Sequence, residues 1–136
     1  MELINLSDEE QGVVVRILRG GKFGEQPEYD FLEAEIIVSS HFAQGRLDLS
    51  ISGYDLEVWR ALLVSLSSGR SVTWLESGRS PRLIVNPEGD SGCAEISVYD
   101  APVSQIEVTV PVSIDANWIS RHRSKLDAIE REFPLI

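Results

Sequence analysis

Residues 54–67, YDLEVWRALLVSLS, place Leu56, Trp59, Leu62, Leu63 and Leu66 at spacings of three and four. That period winds the apolar residues into one stripe and leaves Glu57, Arg60 and Ser67 mostly elsewhere, so the stretch predicts an amphipathic helix. Ser52 precedes it and can accept from the orphan amides of the first turn, Asp55 and Glu57 lie at the positive end of the helix dipole, and Gly69 supplies a left-handed stop. A helix this short is not stable alone in water. Its stripe therefore requires a surface made by the flanking chain.

The flanks read as strands. Upstream, Leu3–Leu6 and Val13–Leu18 are apolar runs separated by the polar turn SDEEQG, and Gly20–Asp30, with three glycines and a proline, predicts a long mobile connection. Phe31–Ser39 then alternates, with Leu32, Ala34, Ile36 and Val38 on one side and Glu33, Glu35 and Ile37 on the other. Gly45–Ile51 alternates too, turning Leu47, Leu49 and Ile51 inward and Arg46, Asp48 and Ser50 outward, so the two pair as a hairpin through Ser40–Gln44. Downstream, Ser71–Leu75, Arg82–Asn86, Ala94–Tyr99 and Ile106–Val112 read as four more strands divided by turn signals, with Ile106 among the inward residues. Connections this short suit antiparallel neighbours and are too short for parallel crossovers. Asp115 is positioned to cap a second helix, 116–133, whose stripe is Trp118 or Ile119, His122, Leu126, Ile129 and Phe133, with Pro134 beyond it.

Four strands, a helix, four strands and a helix predict a single α+β domain spanning 1–136. About eight short antiparallel strands form a meander, as a curved sheet or a sandwich, with two packed helices at 54–67 and 116–133.

Charge narrows the function classes. The 22 carboxylates against 12 Lys plus Arg give a net charge of −10, which repels a nucleic-acid backbone or an anionic membrane and hastens encounter with a basic protein. No apolar run is long enough for a membrane span, and the acidic start MELINLSDEE does not resemble a signal peptide, so a cytoplasmic location is the expectation. Cys93, the single cysteine, excludes an internal disulfide and reads as a small strand residue.

No catalytic motif is present. His41 falls in a hairpin turn and His122 on the second helix, neither in metal-ligand spacing, and Gly20–Gly24 lacks the spacing of a phosphate loop. Glu88–Asp90 offers oxygen ligands in a turn but lacks the acids of a calcium loop. No metal and no cofactor is expected. The surviving constellation is a set of carboxylates at outward strand positions: Glu33, Glu35, Asp48, Glu95 and Glu107. If their strands are neighbours they form one acidic sheet face, beside which Tyr29, Phe31 and Trp118 can act as aromatic anchors, whereas Trp59 and Trp74 read as core.

The run FLEAEIIVSSHFAQGRLDLSIS, the helix carrying DLEVW, the segment SVTWLESG and the closing IDANWISRHRSKL together resemble an uncharacterised family of small, single-domain actinobacterial proteins. The layout is also similar, more loosely, to small immunity proteins that guard bacteria against polymorphic toxins. The first resemblance implies the fold; the second implies a non-enzymatic protein that occludes a basic partner. The expected function is accordingly an acidic binding protein, the alternative being a small-molecule-binding domain with the ligand between a curved sheet and the helices. An enzyme using His41 or His122 with a carboxylate is a third reading.

Overall fold

Alternating apolar and polar residues organise the chain into strands, and in the computed structural model, which describes residues 1–90 and 92–136, these fall into two sheets. The order is β1 (Glu2–Ser7), β2 (Gly12–Gly21), β3 (Phe31–Ser39), β4 (Gln44–Ile51), α1 (Gly53–Ser67), β5 (Val72–Trp74), β6 (Arg82–Asn86), β7 (Ala94–Tyr99), β8 (Glu107–Val112) and α2 (Trp118–Glu132). Each run of four strands is its own antiparallel meander, β1-β2-β3-β4 and β5-β6-β7-β8. The fold is α+β, as the alternation and short turns predict.

The two helices are exchanged between the sheets. α1 follows the first sheet but packs beside β5, the edge strand that opens the second. The indole Nε1 of Trp74 on β5 donates to the Asp55 carbonyl of α1 at 2.9 Å. α2 follows the second sheet but packs beside β1, the edge strand that opens the first. There the backbone N–H of Asn5 donates to His122 Nε2 at 3.1 Å. Each helix thus covers the edge strand of the other sheet, which removes a surface prone to pairing with other chains.

Local chemistry starts and stops α1 where its sequence predicts. Ser52 and Asp55 form a reciprocal capping box, and Gly69 at φ +80° follows the end of the helix and donates to the Leu66 carbonyl. Leu56, Trp59, Leu63 and Leu66 are buried, and the Trp59 and Trp74 rings meet at a centroid distance of 5.4 Å. These side chains join the inner faces of both sheets in one core.

Several boundaries differ from the sequence reading. α2 begins at Trp118, not 116, because Asp115 does not cap it. The Asp115 carboxylate accepts from Asn117 N–H at 2.9 Å and pairs with Arg121 at 2.7 Å, forming a turn ahead of the helix. In β1 both Leu3 and Ile4 are buried, since the register with β2 shifts between Glu2 and Ile4. Residues 22–30 are held, not loose. Asp30 Oδ2 accepts from Phe23 N–H at 2.6 Å, Tyr29 N–H donates to the Pro134 carbonyl at 2.8 Å, and Ile136 N–H returns to the Tyr29 carbonyl at 3.0 Å. Cys93 precedes β7 in a turn, where its carbonyl accepts from Gly89 N–H at 3.0 Å.

Candidate functional site

Strands β2, β3 and β4 place Arg16, Glu35 and Asp48 abreast. Glu35 is on the outer face, as the period-two count predicts, yet it is 6% exposed. Arg16 and Arg46 close over it, with contacts of 3.5 and 3.4 Å. Glu33 is also neutralised, by Arg19, which a register shift between Ile17 and Arg19 brings opposite it. Asp48 alone of the three is exposed and has no ion-pair partner among the described residues. The outer face of the first sheet therefore carries both signs and is not the acidic face expected. Alternation fixes which side a residue faces, but the opposing arginines come from neighbours that only the register supplies.

Glu95 and Glu107 belong to the second sheet and do not extend that face. Glu95 Oε1 accepts the Asp90 backbone N–H at 3.2 Å, at the turn that precedes β7. Glu107 is exposed and sits opposite Tyr99, over whose ring the Arg82 guanidinium lies at 5.3 Å. The expected aromatic anchors have structural places as well. Trp118 is 8% exposed and meets His122 edge-on, because it falls on the buried stripe of α2. Tyr29 is half-buried between the Phe133 ring and the Lys22 ammonium, tying residues 22–30 to the C-terminal segment.

Sequence reasoning missed an apolar cleft of about 310 Å³ where the β3–β4 and β7–β8 hairpins meet. Ile36, Val38, Leu47, Val98, Ile106 and Val108 give its apolar wall, and Arg46 and Asp100 also line it. Two side-chain-closed turns flank it. Ser40 Oγ accepts from Ala43 N–H at 2.8 Å and donates to the Ala43 carbonyl at 2.9 Å, leaving Phe42 fully exposed. Asp100 accepts the Ser104 hydroxyl at 2.7 Å, and between them Val103 is 83% exposed. Ile106, expected inward, lies just before β8 and is 63% exposed at the cleft mouth. The available signal was Phe42, a large apolar residue in a turn where polar chemistry suffices. A larger hollow, about 570 Å³, lies between the start of α1 and residues 133–136 but gathers none of the carboxylates singled out from the sequence.

Both nitrogens of His122 are engaged by backbone: Nδ1 meets the Trp118 carbonyl at 2.6 Å and Nε2 accepts from Asn5. This requires the neutral ring with its proton on Nδ1, and burial pushes its pKa below the ordinary value. His41 is exposed in the β3–β4 turn. Among the described residues no three His, Cys, Asp or Glu side chains converge as a metal-binding group, and no helix is long and apolar enough to cross a membrane.

No curated protein matches the chain. Its fold is similar to that of the plant transcriptional regulator PBF-2, with a TM-score of 0.53 at 10% identity, covering 95% of this chain and 79% of that one. At that identity the likeness extends to the fold alone. Residues 1–134 match the model of a family described as of unknown function, DUF5959, and the chain belongs to that family.

Proposed function

We propose that this protein is an acidic, non-enzymatic binding module whose partner is a basic protein. The observation that carries the reading is how the charges are distributed. Arg16, Arg19, Arg46, Arg60, Arg121 and Lys125 are all held in ion pairs with the chain's own carboxylates. Those pairs use half of the 12 cations, while the net charge remains −10. The field at the surface is thus set by carboxylates such as Asp48 and Glu107, a strong attractor for a cationic surface. Occlusion of that partner, in the manner of an immunity protein acting in bacterial cytoplasm, is the form of binding the charge favours.

The experiment is capture on the immobilised full chain from an extract of its own cells at low and moderate salt. The expected result is a basic protein that is retained at low salt and released as salt rises. Recovery of no basic protein, or retention indifferent to salt, contradicts the proposal.

A further inference from the structure

We propose that the cleft between the β3–β4 and β7–β8 hairpins takes an extended segment of the basic partner, alternating apolar residues with Lys or Arg and laid along the free edge of β4. The proposal rests on the binding function above and locates it. Three observations bear on it independently.

The first is the edge. β4 pairs with β3 alone, so its other side presents unpaired backbone donors and acceptors. α2 covers the matching edge at β1, α1 that at β5, and β8 contains Pro111, which lacks a ladder N–H. β4 has none of these protections. A strand added there sends alternate side chains to opposite faces.

The second is space. On the inner face those side chains enter the cleft walled by Leu47, Val98 and Val108. Gly45 opens it further, since a Cβ built there meets nothing within 4 Å. Phe42, Val103 and Ile106 extend the apolar surface beyond the mouth.

The third is charge. On the outer face the added strand meets Asp48, and Asp100 lines the cleft itself. The nearby cation, Arg46, is engaged by Glu35. Asp48, one of the residues singled out from sequence, thus acquires a role. A second copy of the chain is disfavoured as occupant, because it would bring −10 against −10.

The test uses a blocked peptide of eight residues, the length of β4, alternating Val and Lys and titrated into the full chain. It should bind at about 0.05 M salt and weaken severalfold at about 0.3 M. Gly45→Phe, which fills open space, should reduce affinity by about tenfold or more. Asp48→Asn with Asp100→Asn, which keeps an acceptor for Ser104, should reduce it severalfold and flatten the salt dependence. Ile106→Lys, at a 63% exposed site, provides a second block with opposed charge if Gly45→Phe perturbs folding.

No binding by wild type, equal binding by the blocked variants, or equal binding of a Val/Glu peptide overturns the proposal. So does a concentration-dependent dimer that Gly45→Phe abolishes, which assigns the cleft to a second copy. A basic partner captured equally by wild type and Gly45→Phe leaves the binding function standing and removes the cleft from it. Capture of no basic protein removes both.

Discussion

Asn5 and His122, 117 positions apart, join the edge of the first sheet to the helix that follows the second, through a backbone N–H donated to the imidazole Nε2 at 3.1 Å. The bond needs a neutral ring, which burial favours and which Lys125 and Arg121 reinforce by repelling a proton. The folded-state pKa lies below the ordinary value of 6.5, so the unfolded chain takes up the proton first as pH falls. The associated stability is complete above about pH 6.5 and is lost progressively below it. Urea unfolding from about pH 7.5 to about pH 5.5 should show a falling midpoint. His122→Leu should remove this component of the slope while lowering stability by about 1–3 kcal/mol at the upper pH, because the Asn5 N–H loses its acceptor. An unchanged slope in the variant would refute the assignment.

Glu35 and Asp48 face the same side of the first sheet but contribute differently to stability. Its side chain is 7% exposed beneath Arg16 and Arg46, whose own side chains are 49% and 68% exposed. Solvent screens those arginines, so Glu35→Ala should cost about 1–2 kcal/mol, less than loss of a fully buried pair. Affinity for a basic partner should also fall in any fraction that stays folded, because Arg46 is released beside the cleft. Asp48→Asn with Glu107→Gln should weaken binding alone, leaving the unfolding free energy within about 0.5 kcal/mol of wild type. Paired unfolding and binding curves check both halves.

Trp59 is fully buried against Trp74, and its indole N–H has no partner among the described residues. Trp59→Ala should cost about 3–5 kcal/mol through the cavity it leaves. Trp59→Phe should cost about 1–2 kcal/mol, since it retains most of the ring packing and also removes an unsatisfied donor. Similar losses in the two variants would mean that the indole N–H is hydrogen-bonded after all.

Ser52→Ala should lower stability by about 1 kcal/mol, because it removes the acceptor for the Asp55 amide at the start of α1. Thermal unfolding checks this, and Ser52→Asp should restore most of the loss.

The strand and helix pattern was legible because it is local. The leucine stripe of α1, the capping residues and the alternation in β3 and β4 all lie within a few positions of one another. What was not legible depends on partners distant in sequence. Nothing near Glu35 indicates that Arg16 will lie opposite it, and nothing near Asn5 indicates that a histidine on the last helix will accept its N–H. The division into two sheets is equally nonlocal, since short turns permit one curled meander or two. Spacing alone leaves Trp118 and Ile119 equally eligible for the stripe of the second helix, and the packing of α2 buries Trp118. The cleft escaped because its walls are ordinary strand residues, and Ile106 lies one position outside β8.

The most direct test of the binding account is the dissociation constant of the captured basic partner, measured against salt for wild type and for Asp48→Asn with Glu107→Gln. Affinity for wild type should fall steeply as salt rises from about 0.05 M to about 0.3 M, and the double variant should bind more weakly with a shallower slope. Identical, salt-independent affinities for the two proteins would contradict it.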